Sequence, residues 1–325
     1  MEWNENLGFA RRLSPAVRWT EMVPAVTIIV PTCNRPNELA ALFRVLLPQI
    51  PSDGSIELLV CDDSRTPTTK DMLERDFPSV IWLSGPRSGP GPNRNAGVRH
   101  ARGNWLIFLD DDVVPRPTLV AAYLEAFADA RMDRCILAGA TFRSGEHSKS
   151  LLWEAPDYVD VQGYGLPPSC NFAMQRDMYC ASKGFDERFR YSFEDMEYFA
   201  RLQQTGVQII FVPAAEVDHP VRALPSATTL ARRWEARVIS SLDYGATPLQ
   251  TSYLLPRHIV LVTLARFRGR RPSWENLLAA WVFLKEVVIT FAMLPGWIFQ
   301  YARRPLSPFW EGEVRKGKAP KNFGL

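Results

Sequence analysis

Residues 93–112 read NRNAGVRHARGNWLIFLDDD, and the run WLIFLDDD at the end of this stretch decides the fold class. An uninterrupted apolar run of this length, rich in branched and aromatic side chains, marks a strand covered on both faces, and such strands belong to parallel sheets. It closes on Asp110, Asp111 and Asp112, so three carboxylates stand where the chain leaves the sheet. A helix is expected just before it, over residues 93–102.

Toward the N-terminus the scheme repeats. AVTIIVP (25–31) is short, β-branched and apolar, with Pro31 as its stop, and IELLVCDD (56–63) is a second such strand ending in Asp62 and Asp63. Between them Leu39, Leu42, Phe43, Leu46 and Leu47 recur at helical spacing, which predicts a helix over 37–47 with Asn34 or Asn37 as its cap. A helix over 68–75 and a strand over 80–83 continue the alternation. Strand alternating with helix implies right-handed crossovers and a mainly parallel sheet. Ligands in such sheets sit beyond the carboxyl ends of the strands. Three successive strand ends here carry Pro31-Thr32-Cys33-Asn34-Arg35, Asp62-Asp63 and the aspartate triplet, and that convergence points to the site.

Downstream, a helix over 119–131 and a strand over 135–142 are expected, and the Gly-, Pro- and Ser-rich stretch 143–168 reads as a substrate-facing loop region. Residues 169–220 predict a strand, a turn, a helix opening on Glu194 and Asp195 and ending at Gly206, and a strand finishing before His219.

The 325-residue chain has room for one large α/β domain and an accessory region. With 46% hydrophobic and 22% charged residues, wholesale disorder is excluded. Its formal net charge of +3 is unevenly spread, since residues 222–325 hold 16 Lys/Arg against 6 Asp/Glu. A basic tail on an acidic body fits an anionic partner, either a membrane or an anionic lipid-linked substrate; ordinary solubilising charge is the alternative. Five cysteines without a Cys-x-x-Cys pair argue against a disulfide framework and a zinc site, and buried free thiols in a reducing compartment are the simpler expectation. Residues 1–22 lack the apolar core of a secretory signal, so cytoplasmic chemistry is expected. Within the tail, LLAAWVFLKEVVITFAMLPGWIF (277–299) nearly reaches the length of a bilayer span, but Lys285 and Glu286 sit in its middle. An interfacial or re-entrant helix with Trp281 and Trp297 near the headgroups fits better. Its competitor is a helix packed on the catalytic domain or on a second copy of the chain.

Asp110 and Asp112, one residue apart at a strand terminus, can turn toward one site and chelate a hard divalent cation such as Mg2+ or Mn2+. Such a metal neutralises charge on a departing diphosphate. Arg94 and Asn95 open a helix after GPGPN, an arrangement suited to phosphate, although no Gly-Lys-Ser/Thr of a Walker loop follows. Met196, Phe199, Ala200 and Leu202 turn one helix face to a core and leave Glu194 and Asp195 at its exposed N-terminal end. Acids also occur at that position simply because the helix dipole favours them.

In order and spacing, VTIIVPTCNR, LLVCDDS, NRNAGVRHARGNWLIFLDDD, CNFAMQRD, GFDERF, FEDMEYFARL and DHP, over roughly residues 25–220, resemble a family-2 glycosyltransferase of the GT-A fold. The resemblance implies an inverting enzyme that uses a nucleoside-diphosphate sugar, a UDP-sugar being favoured, and a hydroxyl of a glycan or lipid-linked acceptor. It implies Pro31, Thr32 and Arg35 along the nucleotide, Asp62 at the base, and Arg94 and Asn95 on the donor. Asp112 and Asp110 become metal ligands completed by His219, with Asp111 at the ribose or sugar. Asp195 is the general base and Glu194 its substitute, while Asn171, Arg176 and Asp186 shape the donor-sugar and acceptor pocket. The expected organisation is an N-terminal extension (1–24), a GT-A catalytic domain (25–221) with a nucleotide-binding half (25–115) and an acceptor half (116–221), and a basic, apolar helical region (222–325) at the inner membrane face. A nucleotidyltransferase would carry a Gly-rich loop with Arg and Lys where this chain has PTCNRPNEL, and a dinucleotide oxidoreductase would carry Gly-x-Gly-x-x-Gly. A catalytically silent sugar-nucleotide binder is the remaining alternative, opposed by the acid pair at 194 and 195. No nucleic-acid module is expected.

Overall fold

The structure, a computed structural model, describes residues 24–303 apart from residues 130, 131, 133, 145–149, 155–157 and 159–164. The expected N-terminal extension up to residue 23, much of the loop region 143–168 and the tail from residue 304 lie outside the described residues.

Strands β1 (Val26–Thr32), β2 (Ile56–Asp62), β3 (Ile81–Ser84) and β4 (Trp105–Leu109) are mutually parallel where they pair and are joined by helices α1 (Pro36–Leu46), α2 (Thr68–Asp76) and α3 (Pro90–His100). Pairing of Val26 with Ile56 and of Thr32 with Asp62 sets the carboxyl ends of β1 and β2 level. Alternate side chains feed two cores. Val26, Ile28 and Val30 pack with Leu39, Phe43 and Leu73 on one face, and Ile29, Leu59, Leu106 and Phe108 pack with Phe172, Tyr198 and Phe199 on the other. Both faces are covered, which is why these strands read as continuous apolar runs.

The rest of the domain comprises β5 (Val114–Pro115), α4 (Leu119–Phe127), β6 (Cys135–Ser144), β7 (Trp153–Glu154), β8 (Asn171–Gln175), α5 (Arg176–Ala181), α6 (Glu194–Gln204) and β9 (Gln208–Pro220). The sheet order is β3-β2-β1-β4-β8-β6-β9-β5. β8 runs antiparallel to both β4 and β6. Its first residue, Asn171, pairs with Leu109 at the end of β4, so β8 starts at the carboxyl edge and runs back across the sheet.

Several expectations change. Neither Asn34 nor Asn37 caps α1: Arg35 holds the N-cap position without a side-chain bond, and Pro36 begins the helix, where its missing N–H needs no partner. α4 stops at Phe127, α6 stops at Gln204, and β9 continues through His219 to Pro220. Asn171, expected in the sugar pocket, is core. Its Nδ2 donates to the carbonyls of Ala140 (3.1 Å) and Ala215 (2.9 Å), and its Oδ1 accepts from the Tyr123 hydroxyl (2.8 Å). These bonds hold the bulge where the β6–β9 register slips between Gly139 and Ala140. Three cysteines are buried as expected, but Cys33 and Cys180 are exposed.

After β10 (Arg222–Ala223), which pairs with β7, come α7 (Ala227–Arg233), α8 (Glu235–Asp243), α9 (Pro248–Phe267) and α10 (Trp274–Ala302). α10 turns Phe283, Glu286, Leu294 and Trp297 inward against α7, α8 and α9. Trp297 is therefore buried rather than at a headgroup level. The two charges in the apolar run separate. Glu286 is buried and bonds Arg266 Nη1 (2.6 Å) and Trp234 Nε1 (2.8 Å), while Lys285 faces outward over the Trp281 ring. Leu277, Trp281, Leu284, Val288, Phe291 and Phe299 are exposed at spacings of three or four and eight residues. By length and composition α10 could cross a bilayer.

Candidate functional site

A cleft of about 1170 Å³ opens at the carboxyl ends of β1 and β4, with the N-termini of α3 and α6 at its walls. It brings together Pro31, Thr32, Arg35, Arg94, Asp110, Asp111, Glu194, Asp195 and His219. On the β1 side, the Thr32 hydroxyl donates to Asp111 Oδ2 (2.8 Å) and Arg35 Nη1 donates to Asp111 Oδ1 (3.0 Å). Burial nevertheless holds the Asp111 carboxyl above its ordinary range.

Arg94 is 2% exposed and joins the two ends of the cleft. Its Nη2 pairs with Asp110 at 2.6 Å and its Nη1 with Glu194 at 3.2 Å. Burial pushes Asp110 up, but the charge and hydrogen bond of Arg94 outweigh it and hold the carboxyl below the usual aspartate value.

Asp112 and His219 meet because β5 pairs antiparallel with β9, setting Val114 opposite Asp218. Ligand atoms of Asp110, Asp112 and His219 lie within 4.8 Å of one another. His219 Nδ1 is 3.0 Å from the Pro220 carbonyl, which can only accept, so Nδ1 donates there and Nε2 is the nitrogen turned toward Asp112. Asp112 Oδ1 is buried without a hydrogen-bond partner, while Oδ2 of the same carboxylate contacts Arg222. Two carboxylates, one of them with an orphaned buried oxygen, and an imidazole nitrogen form a donor set that fits Mn2+ or Mg2+.

Across the cleft, Phe193 takes a left-handed backbone (φ 75°) immediately before α6, a strained conformation for a non-glycine residue. It turns Glu194 and Asp195 into the cleft at the helix N-terminus. Asp195 Oδ2 accepts the Ser169 N–H (3.3 Å) and Oδ1 the Met196 N–H (2.8 Å). Burial raises both carboxyls, and with the Asp195 charge it pushes Glu194 up to about 7. The neighbouring Cys170 carbonyl accepts the Asp110 N–H (3.2 Å), so two consecutive residues of one segment hold the acids of both walls.

Other expected site residues lie elsewhere. Asp62 is buried beside the cleft, one oxygen accepting the Ser64 N–H (2.8 Å) in an Asx-turn and the other the Trp82 Nε1 (3.3 Å). Asp63 faces the cleft instead and accepts the N–H groups of Arg87 (2.9 Å) and Gly89 (3.2 Å). This fixes the loop before α3, where Gly89 (φ 106°) admits no side chain because a Cβ would lie 2.1 Å from the Arg190 carbonyl. Asn95 points away from the cleft and bonds the Phe185 backbone and Tyr179 hydroxyl. The antiparallel sense of β8 carries Arg176 to the opposite edge of the sheet, where it donates to the Ala101 carbonyl (3.0 Å). Asp186 pairs with Arg188, which also reaches Asp243 of α8. The cleft gains Ser169, Arg190, Tyr191, Arg222 and Arg233, which sequence reasoning missed as site residues. Arg222 and Arg233 belong to the basic tail by composition, and only the fold turns them inward.

Residues 27–181 match the model of the family described as glycosyl transferase family 2. The chain is similar to the pre-mycofactocin glycosyltransferase of Mycobacterium tuberculosis, with 27% identity covering 65% of this chain and 45% of the relative. It is also similar to the succinoglycan biosynthesis protein ExoM of Rhizobium meliloti, with 27% identity covering 60% of this chain and 67% of that one. The chain spans less than half the length of the first curated relatives it matches. Among solved structures, it is similar to a mannosyltransferase from Pyrobaculum calidifontis in complex with GDP-Man and Mn2+, with TM-score 0.47 and 18% identity, covering 90% of this chain and 79% of that one.

Proposed function

We propose that this chain, which belongs to glycosyl transferase family 2 through residues 27–181, moves a sugar from a nucleoside-diphosphate sugar to a hydroxyl of a glycan or lipid-linked acceptor, with inversion at the anomeric carbon. The observation that carries this reading is the facing of two acid sets across one cleft. Asp110, Asp112 and His219 stand on one wall and Asp195 with Glu194 on the other, joined by Arg94. A divalent metal would be held by the first set and would neutralise charge on the diphosphate. Asp195 takes the proton of the acceptor hydroxyl as its oxygen bonds to the anomeric carbon. The bond from that carbon to the diphosphate breaks in the same step, and its electron pair leaves with the diphosphate. Burial of Asp195 favours this role, since it raises the basicity of the carboxylate toward neutral pH.

The exposed apolar row of α10, with Arg268, Arg270, Arg271 and Arg303 exposed near its ends, supports attachment at the inner face of a membrane. UDP-, GDP- and dTDP-sugars, each with and without Mn2+, are to be ranked by thermal shift and then assayed for transfer. A UDP-sugar is expected to rank first and to need the metal. Asp112→Ala is expected to lose the metal requirement together with activity, and Asp195→Asn to lose transfer while still binding donor. Near-normal transfer in both variants would overturn the reading.

A further inference from the structure

A second cavity, of about 390 Å³, lies beside the cleft and shares Glu154, Ser192, Phe193 and Arg233 with it. The two spaces therefore meet at Phe193, one residue before the acid pair. Beyond that junction the walls are apolar: Leu151, Trp153, Leu224, Leu230, Val262 and Phe283. Val262 and Phe283 belong to α9 and α10, the helices whose outer sides carry the exposed apolar rows, so the chamber lies beneath that surface.

Its charges are unequally matched. Arg266 is paired with Glu286, and Arg233 with Glu154 at 2.8 Å. Arg237 lies half-buried in the same wall, stacked 4.7 Å from the Phe193 ring centre, with no carboxylate partner among the described residues. Burial pushes its guanidinium below the ordinary arginine value. A desolvated arginine at the mouth of an apolar chamber is a site for an anion attached to an apolar chain. The volume falls in the range of small-ligand pockets, roughly 300–1,000 Å³.

We infer that this chamber holds the apolar chain of the acceptor, with a phosphate or diphosphate at Arg237 and the reacting hydroxyl end extending past Phe193 into the cleft. The inference rests on the glycosyltransferase reading and selects the lipid-linked member of its two acceptor classes. Arg237 binds rather than reacts.

Trp153 and Trp234 line the chamber, so quenching of tryptophan fluorescence reports occupancy. The full chain is titrated with farnesyl phosphate, farnesol, inorganic phosphate and a short-chain phosphatidylglycerol below its micellar concentration. Farnesyl phosphate is expected to bind at least tenfold more tightly than each of the other three. Arg237→Gln is expected to abolish the preference over farnesol, Arg237→Lys to restore part of it, and Val262→Trp to weaken both isoprenoids by filling the chamber. Equal binding of farnesol, or an unchanged preference in Arg237→Gln, overturns the inference. Equal binding of phosphatidylglycerol also overturns it, by identifying a general lipid contact. Sugar-nucleotide thermal shifts are run in parallel and are expected to be unchanged in all three variants. Lipid binding without any donor shift would count against the proposed function, and a donor shift without lipid binding against the chamber alone.

Discussion

Replacing Arg94 by methionine tests the keystone of the cleft. Methionine keeps most of the side-chain length and removes the cation, leaving Asp110 and Glu194 without their shared partner at 2.6 and 3.2 Å. Breaking a buried ion pair by removing one member costs about 3–5 kcal/mol. Two carboxylates lose one cation here, but Glu194, pushed up to about 7, is partly protonated at neutral pH and suffers less. The expected loss is about 4 kcal/mol above pH 7, equivalent to a fall in Tm on the order of 10 °C. The pH dependence has a definite sign. Without Arg94 the folded-state pKa of Asp110 rises, because burial is then opposed only by the charges of His219 and Arg222. A carboxyl raised in this way favours folding below its unfolded pKa and loses that contribution as pH rises through the folded pKa. The deficit of the variant is thus smallest near pH 5 and largest near pH 8. Urea unfolding of both proteins in EDTA at the two pH values measures it. A deficit under about 1 kcal/mol at pH 8, or one no larger than at pH 5, would refute the reasoning. Adding Glu194→Gln to the variant should recover part of the loss, since an amide needs no counter-ion.

Transfer activity should fall on the acid side at a pH above the ordinary aspartate range, because burial raises the Asp195 carboxyl and a protonated base cannot accept. In Asp195→Asn, pre-steady-state transfer should drop by about 10²–10⁴-fold and lose that acid limb; retention of the limb would move the base elsewhere. Gly139→Ala places a Cβ 2.2 Å from Asn171 Nδ2 and 2.4 Å from the Ala215 carbonyl, so about 1–3 kcal/mol should be lost in chemical denaturation. Glu286→Leu leaves Arg266 and the Trp234 N–H without their acceptor and should cost about 3–5 kcal/mol. Glu286→Gln, which still accepts from Trp234, should cost measurably less in the same assay.

The parallel half of the sheet is legible because both of its faces are covered: AVTIIVP, IELLVCDD and WLIFLDDD have no polar alternation to obscure them. The reversal of β8 is not, since CNFAMQ has the same pattern in either direction and only pairing sets its sense. Misplacement of Arg176 follows from that ambiguity, whereas Asn171 stands at the carboxyl edge opposite Leu109 and turns its amide to the β6–β9 bulge. Asp62 and Asp63 illustrate another limit. Successive residues at a strand end point to opposite sides, and which of them faces the cleft depends on the turn that follows. Asp110, Asp111, Glu194 and Asp195 were readable because each stands at an element terminus, whereas Arg222 and Arg233 reach the cleft by long-range folding that local pattern does not encode. Charge counting groups Arg222 and Arg233 with the basic tail, and the fold turns both toward the cleft.

Ser169 and Cys170 hold Asp195 and Asp110 through their own backbone, so the two walls of the cleft share one short splint. A displacement of that segment would shift Asp110 and Asp195 together. Arg190, Tyr191 and Arg222 line the same cleft from elements outside the splint. Kinetically, substitutions at the splint should slow donor engagement and acceptor attack in proportion, while substitutions in those outer elements should alter one without the other.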